Sequence, residues 1–202
     1  MFFKQEYIAS VETNPSILFF DLEMTGGNTR YDEILQFSIV DLYKGVVFNE
    51  YIKPRKCKSW KDTEAIHHIT PEMVKDCFTI NAHQAAIKNL FKHADMVIGY
   101  GIENDLRFMK KDKIFVGKNT IIYDLQKSFS RVYSNDNNMP SLKSCAQYYR
   151  CPNLGKAHDS LIDTYITVYC FVCIYGLDRC GSGYSHWKSR RGCETSRYHL
   201  CF

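Results

Sequence analysis

The sequence predicts an α/β fold built on a mixed sheet that begins with an antiparallel hairpin. Three strand-like segments come first, and strands then alternate with helices, an order that is typical of α/β sheets. The second and third segments, 34–42 and 46–52, are separated only by Tyr43, Lys44 and Gly45, a connection short enough for a hairpin. A chain of 202 residues, 45% hydrophobic and 24% charged, suffices for one globular domain.

The first strand is predicted at residues 17–20, a continuous apolar run that ends at Asp21 and is expected to be buried on both faces. A glycine-containing turn follows at 25–28. Residues 54–61 read as a basic loop that is too polar for the core. A short helix then starts at Thr70, a capping residue that is followed by proline.

Two further strands are predicted at 96–99 and 120–124. Helices are predicted over residues 82–92, 104–111, 125–133, 141–149 and 159–175. From Gly176 the periodicity stops, so the sequence predicts a domain of residues 1–175 and a basic tail of residues 176–202 that is rich in cysteine and aromatic residues.

Four acidic residues and one histidine stand beside apolar runs, where an unpaired carboxylate is costly to desolvate. Asp21 and Glu23 lie in Phe-Phe-Asp-Leu-Glu-Met-Thr-Gly-Gly, and strand alternation puts both on one face. Asp105 opens a helix at the sheet edge where α/β proteins usually bind ligands. Asp163 interrupts an apolar run, and His158 fits best on a loop before that helix. Several carboxylates together indicate divalent cations, and paired metals indicate phosphoryl chemistry.

Each of these residues also has a purely structural interpretation. A solvated strand end would explain Asp21 and Glu23, and a helix-start residue stabilised by the helix dipole would explain Asp105. A surface position would explain His158. Asp163 is harder to explain in this way because its neighbours in the chain are apolar.

Taken together, the three segments resemble the DEDDh exonucleases, the group that includes the proofreading subunit of bacterial DNA polymerase III. Residues 66–74, Ile-His-His-Ile-Thr-Pro-Glu-Met-Val, are similar to the family's Ile-His-Gly-Ile-Thr-Pro-Glu-Met-Val, and this segment contains no catalytic acid, so it supports the resemblance independently. Tyr100 and Gly101 stand where the family usually has His-Asn, Asn104 replaces a phenylalanine, and Ser160 replaces a frequent alanine. None of these departures removes a metal ligand.

The resemblance covers roughly residues 16–175. It implies an RNase H-like mixed five-stranded sheet flanked by helices. It also implies a 3′–5′ exonuclease that releases nucleoside 5′-monophosphates by a two-metal mechanism. In that case two Mg²⁺ or Mn²⁺ ions are held by four acids and a histidine is the general base; the residues are Asp21, Glu23, Asp105, Asp163 and His158. The terminal nucleotide would be contacted by Met24, Thr25 and Gly26.

The partner implied by the resemblance is the 3′ end of a single-stranded nucleic acid, with DNA favoured over RNA. Asp-Leu-Glu-Met-Thr-Gly is also similar to the oligoribonuclease branch, so RNA is the alternative substrate. A DNA polymerase or a replication or repair complex is an additional candidate partner. A non-catalytic nucleic-acid-binding or polymerase-associated module and an unrelated α/β phosphatase are the competing functions. No apolar run approaches the roughly 20 residues of a membrane span and no secretory signal is evident, so a cytoplasmic location is expected.

Nine cysteines, an odd number without a secretory signal, indicate reduced thiols rather than a disulfide framework. The last five could contribute to a zinc site, but their spacing does not match a paired Cys-x2-Cys template. The favoured interpretation is that Cys170 and Cys173 pack in the core, ahead of a disordered tail. Residues of the zinc alternative are Cys170, Cys173, Cys180, Cys193, Cys201, His186 and His199. The tail's mixture of cations and aromatic rings suits a single-strand binder or a solvated tail equally.

Overall fold

The computed structural model describes residues 15–133 and 139–176. Its centre is a five-stranded sheet with the strand order β3-β2-β1-β4-β5. The strands are β1 (Ile17–Met24), β2 (Ile34–Asp41), β3 (Gly45–Tyr51), β4 (Met96–Gly99) and β5 (Ile121–Asp124). The helices are α1 (Lys61–His67), α2 (Pro71–Val74), α3 (Ile80–Lys92), α4 (Glu103–Lys111), α5 (Leu125–Tyr133), α6 (Leu142–Tyr148) and α7 (Ser160–Tyr175).

The sheet is mixed, as the sequence predicts. Strands β1, β2 and β3 pair in antiparallel fashion, and β2 and β3 form the predicted hairpin. Strands β4 and β5 run parallel to β1. Because carboxyl ends of parallel strands meet at one edge, the residues that follow β1, β4 and β5 are brought together there.

Side-chain alternation along β1 supplies two separate cores. Leu18, Phe20 and Leu22 point to a face covered by α3 and α4, where they pack against buried residues such as Phe91 and Phe108. Phe19 points to the opposite face, covered by α5, α6 and α7, and its ring meets Phe171 of α7 edge to face at 5.3 Å. The two cores clamp the sheet from both sides, as expected for an α/β protein. All helices of the described residues are too short or too polar to cross a bilayer.

The first strand is longer than predicted. It continues through Asp21 and Glu23 to Met24, with a bulge in its pairing to β2 between Glu23 and Met24. Both acids are therefore strand residues on the same face as Phe19, rather than residues that follow a strand. A bulge increases local twist and breaks the regular pairing at the point where the chain leaves the sheet.

The prediction that residues 54–61 are too polar for the core is wrong. Pro54 and Trp60 are buried, and the Trp60 indole Nε1 donates a hydrogen bond of 2.7 Å to the Ile69 carbonyl. Trp60 also precedes α1, a helix that the sequence analysis did not predict. That helix ends at His67 and is capped by His68, whose φ of 62° is left-handed.

One buried carboxylate organises the loop between β3 and α1. Glu33 accepts hydrogen bonds from three consecutive backbone N–H groups, those of Arg55, Lys56 and Cys57, at 2.7–3.0 Å. The Arg55 guanidinium bridges Glu33 to Asp112 beyond α4, with N–O distances of 3.2 and 2.5 Å. Burial alone would raise the pKa of Glu33, but these N–H donors and Arg55 lower it below its ordinary value.

We expect Glu33→Ala to lower the free energy of unfolding by about 2–3 kcal/mol, because it leaves buried donors without an acceptor. Glu33→Gln keeps one acceptor oxygen and should cost less. Since the pKa of Glu33 is lowered in the folded protein, its contribution is present above the unfolded-state pKa and is lost as the pH falls through the folded-state pKa. Urea denaturation at neutral and acid pH measures both effects, and equal midpoints for the wild type and Glu33→Ala would contradict this role.

Candidate active site

The five residues singled out by sequence converge at the carboxyl edge of the sheet. Asp21 and Glu23 lie on β1, Asp105 lies in the first turn of α4, and Asp163 lies in the first turn of α7. His158 precedes α7, as predicted. The acids lie close enough for the charges of Asp105, Glu23 and Asp163 to raise the pKa of Asp21.

Glu23, His158 and Asp163 form the tightest part of this cluster. Each offers one ligand atom, and the three atoms lie within 4.8 Å of one another. The His158 backbone N–H also donates to Asp163 Oδ2 at 3.3 Å. His158 adopts a left-handed backbone with φ 62°, which turns the chain sharply just before α7 begins. Of the described residues, no other set of three or more His, Cys, Asp or Glu meets the same distance criterion.

The carboxylates on β1 resist ionisation. Desolvation, followed by the negative charges of Asp105, Glu23 and Asp163, raises the pKa of Asp21 well above its usual range. Desolvation, followed by the charges of Asp163, Asp105 and Asp159, raises the pKa of Glu23 to about 8. Burial and mutual repulsion therefore both oppose full ionisation of these two carboxylates.

The two helical acids show the same effect. Desolvation and the charge of Asp124 raise the pKa of Asp105, which is buried, to about 8. Desolvation also raises the pKa of Asp163, although the charge and backbone N–H of His158 act in the opposite direction. Buried carboxylates that repel one another are expected where a cation binds or a proton is moved.

The start of α7 is fastened to β2 by buried polar side chains. Gln36 donates to Asp159 Oδ1 at 3.2 Å and accepts from the Ser160 backbone N–H at 3.2 Å. The hydroxyls of Ser38 and Ser160 lie 2.5 Å apart. Asp159 in turn caps the helix by accepting from the N–H groups of Leu161 and Ile162. Because Gln36 pairs with Glu23 across the strands, this clamp fixes His158 and Asp163 relative to β1.

Hydrogen bonds from neighbouring elements fix the backbone of Met24 and Thr25, two of the residues predicted to contact a terminal nucleotide. His67, buried at the end of α1, places Nε2 3.3 Å from the Met24 carbonyl, while its Nδ1 accepts from the Ile69 backbone N–H at 3.0 Å. Since Nδ1 accepts, Nε2 carries the proton and donates to Met24. Thr25 is buried, and its backbone N–H and carbonyl are bonded to Glu33 and Thr63.

Gly26, which the resemblance places beside the terminal nucleotide, also meets a steric requirement of its own loop. A Cβ on Gly26 would lie 2.5 Å from the carboxylate of Asp32. That carboxylate accepts from the Thr25 hydroxyl at 3.0 Å and from the Asn28 backbone N–H at 2.8 Å. Gly26 therefore makes room for Asp32, which closes the loop after β1.

Several residues that shape the site were not identified from sequence. Gln36, His67, Asp124 and Asp159 each hold a backbone group or a side chain of the cluster in place. Asp124 accepts from the Gly101 N–H at 3.0 Å and so fixes the turn that leads to Asp105. The Asp-Ser pair before α7 is a capping signal that could have identified Asp159. Asp124 likewise accepts from the Gln126 N–H at the start of α5, a local capping pattern. Gln36 and His67 act on the cluster through distant partners and leave no such signal.

The cysteines of the described residues do not form a metal site by the same distance criterion. Cys145 and Cys170 are buried together between α6 and α7, which confirms core packing for Cys170; Cys173 is partly buried. A hydrogen bond with Cys145 and burial raise the pKa of the Cys170 thiol, so it behaves as an apolar side chain. Other residues of the zinc alternative, from Cys180 to Cys201, lie outside the described residues, as does almost all of the predicted tail.

The exonuclease family model RNase_T matches residues 18–171. The chain belongs to this exonuclease family. The match spans both cores and all five residues of the cluster, which confirms the resemblance to exonucleases; a specific resemblance to the proofreading subunit of DNA polymerase III stays a prediction. No curated protein sequence matches the chain.

Solved exonuclease structures share the fold. Escherichia coli exonuclease I in complex with a dA16 oligonucleotide superposes with a TM-score of 0.65 and 21% identity, over 79% of this chain and 41% of that one. Exonuclease X in complex with 5′ overhanging duplex DNA gives a TM-score of 0.60 and 18% identity, over 83% of this chain and 95% of that one. Cell-death related nuclease 4 superposes with a TM-score of 0.58 and 18% identity, over 77% of this chain and 62% of that one. This chain thus spans about two fifths of exonuclease I, and the RNase H-like sheet is confirmed.

The raised pKa values predict how stability depends on pH. The folded protein holds these protons more tightly than the unfolded chain, so the free energy of unfolding falls as the pH rises from about 4 towards about 8. In a chelating buffer at pH 8, we expect Glu23→Gln to recover about 1–2 kcal/mol of the loss, or roughly 2–8 °C in Tm. Thermal melts from pH 5 to 8 test this.

Glu50→Gln is the matched control, because it removes an exposed carboxylate from β3 of the same sheet. It should leave the slope of Tm against pH as it is in the wild type. A wild-type slope in Glu23→Gln as well would show that Glu23 is not destabilised by burial.

Proposed function

We propose that the protein is a divalent-metal-dependent 3′–5′ exonuclease that releases nucleoside 5′-monophosphates and prefers DNA. The observation that carries the proposal is the convergence of four mutually repelling carboxylates and one histidine at the edge of an exonuclease-family sheet. An unrelated phosphatase would not share this family. A non-catalytic module would be expected to have lost at least one of the acids.

The donor set suits hard divalent cations such as Mg²⁺ or Mn²⁺, which prefer carboxylate oxygens. Asp21, Glu23, Asp105 and Asp163 would hold two such ions, whose positive charge would offset the burial and mutual repulsion that raise the pKa values of these acids. When bound, the ions would neutralise the scissile phosphate and lower the pKa of a water molecule. The neutral amide of Gln36 beside Asp159 adds no positive charge that would compete with them.

His158 would act as the general base that accepts the proton of the attacking water. Its position supports this role, because it lies outside the helix, is exposed, and has a ligand atom within 4.8 Å of those of Glu23 and Asp163. An imidazole titrates near neutrality, which suits proton transfer at physiological pH. The Asp163 carboxylate contacts the His158 backbone and would limit the movement of this residue.

Single-stranded DNA is the proposed substrate, with the terminal nucleotide beside Met24, Thr25 and Gly26. Support for DNA comes from structures with the same fold, namely exonuclease I in complex with a dA16 oligonucleotide and exonuclease X in complex with 5′ overhanging duplex DNA. The partly buried Met24 side chain packs on the core and lies 3.8 Å from the Asn104 amide, at the mouth of the cluster. Association with a DNA polymerase or a replication or repair complex stays a prediction from sequence.

Digestion of 5′-end-labelled substrates tests metal dependence and polarity together. We expect single-stranded DNA to give a ladder of strands shortened from the 3′ end with Mg²⁺ or Mn²⁺, slower digestion of duplex DNA and short RNA, and no digestion with a chelator. Asp105→Asn should reduce the rate at least about 100-fold, since it removes a proposed metal ligand.

Glu103→Gln is the control for this experiment, because it changes an exposed acid in the same helical turn that pairs with Lys127 outside the cluster. It should retain most of the wild-type rate. Digestion that continues in the chelator, or an Asp105→Asn enzyme as fast as Glu103→Gln, would refute the proposed site.

His158→Ala separates chemistry from binding. We expect kcat to fall about 10²- to 10⁴-fold, the range for loss of a general base, while KM for the oligonucleotide changes far less. Steady-state rates over several oligonucleotide concentrations give both constants. If kcat is unaffected, another group takes the proton.

A further inference from the structure

Three segments that are distant in sequence meet beside the loop that follows β1. Lys111 Nζ donates to the Asp32 carbonyl, the neighbouring Asp112 accepts from Arg55, and Arg55 also donates to Glu33, which adjoins Asp32. These contacts close a ring through residues 25–33, 53–58 and 107–113. The ring therefore fixes the three segments relative to one another.

The acidic and basic side chains of these three segments have different surroundings. The three segments contain nine lysines and arginines but only three acids, although the whole chain has a net charge of only +4. The acids are Asp32, Glu33 and Asp112, and all three are turned inwards to accept hydrogen bonds of the ring. Seven of the nine cations are exposed and form no ion pair within the described residues. Of these, Lys53 donates to the Lys75 carbonyl and Arg107 acts on Glu103 of its own helix. The other five are Arg30, Lys56, Lys58, Lys110 and Lys113. These five residues, together with Tyr31, are called the basic rim below.

Tyr31 gives the basic rim an aromatic surface. Its side chain is 65% exposed, and the Arg30 guanidinium lies over its ring, 5.4 Å from the centroid. The supporting loop is well bonded, since the N–H groups of Tyr31 and Asp32 both donate to the Asn28 carbonyl, at 3.0 and 2.8 Å. A large ring held exposed on a bonded loop, next to a cation, has the composition of a stacking platform for a nucleobase.

The basic rim is close to the carboxylate cluster. Thr25 follows Glu23 by two residues, and its hydroxyl bonds Asp32, which adjoins Tyr31. Covalent geometry then limits the distance between the Glu23 and Tyr31 Cα atoms to about 20 Å. At a rise of about 3.4 Å per nucleotide, this distance corresponds to about six nucleotides of a stacked strand.

We propose that the basic rim binds the substrate strand on the 5′ side of the terminal nucleotide, with its cations on phosphates and one base stacked on Tyr31. The inference rests on the proposed nuclease function for its substrate class. The acidic cluster repels a polyanion, and a fixed positive surface within a few nucleotides would offset this repulsion and retain the strand between successive cleavages.

Binding is tested with a 5′-fluorescein-labelled dT12 oligonucleotide in a chelating buffer, by anisotropy at several salt concentrations. Replacement of Lys56 and Lys58 by glutamine should weaken binding and reduce the slope of log K against log salt by about 1.4, from about 0.7 per lost phosphate contact. The matched control replaces Lys92 and Lys118, two exposed lysines at the opposite end of the sheet, and should keep the wild-type slope.

The aromatic contribution is tested by Tyr31→Ala and Tyr31→Phe. We expect Tyr31→Ala to weaken dT12 binding about 5- to 100-fold, the range for loss of one stacked base. Tyr31→Phe keeps the ring and should bind within about twofold of the wild type. Equal binding by Tyr31→Ala, together with a wild-type salt slope in the Lys56 and Lys58 variant, would overturn the proposal.

A small reporter separates this inference from the proposed function. The p-nitrophenyl ester of thymidine 5′-monophosphate is too short to reach the basic rim, so the ratio of dT12 to reporter hydrolysis should fall about 5-fold or more in the rim variants. If the wild type hydrolyses both substrates and the ratio is the same in the rim variants, the basic rim is refuted and the nuclease stands. If the wild type hydrolyses neither substrate but dT12 binding depends on the rim, the nuclease function is refuted and the rim stands.

Discussion

Desolvated negative charge at the carboxyl edge of β1 and β4 is the constraint on which this molecule depends. Four carboxylates are gathered where burial and mutual repulsion raise their pKa values, and the fold must keep them there. It does so with hydrogen-bonded polar supports: the amide of Gln36, the helix caps of Asp159 and Asp124, and the imidazole of His67. The two apolar cores on either face supply the free energy that opposes this repulsion.

Rigid support on one side of the cluster contrasts with exposed charge on the other. The clamp between β2 and α7 is buried and polar, and it contains no cation of its own. The segments that carry the basic rim, by contrast, engage their acids in hydrogen bonds and present the cations of the rim to solvent. An attractive surface beside a repulsive centre is a reasonable arrangement for a protein whose ligand is a polyanion, because affinity and chemistry are then supplied by different residues.

The fold could be predicted because its signals are local. The short connection after β2 predicted the hairpin, and apolar runs followed by helical segments predicted the parallel strands. Helix α1 was missed because the basic residues before it suggested a solvated loop, whereas Trp60 is buried against Ile69. Of the site, the acids and His158 were found through their motifs, but their supports were not. Gln36 and Asp159 are 123 residues apart, and no local pattern in one sequence encodes such a contact.

His67 gives the strand end a sensitivity to acid that opposes the behaviour of the carboxylates. Its Nδ1 must be unprotonated to accept from Ile69, and burial lowers the pKa of this imidazole. Protonation would turn that acceptor into a donor facing the Ile69 N–H, so this bond would be lost, whereas Nε2 would still donate to the Met24 carbonyl. Acidification thus relieves the repulsion among the carboxyl groups while it removes the hydrogen bond between His67 and Ile69. Without bound ions, the free energy of unfolding should therefore be highest in mildly acidic solution. It should fall at lower pH as His67 is protonated, and at higher pH as the carboxyl groups ionise and repel one another.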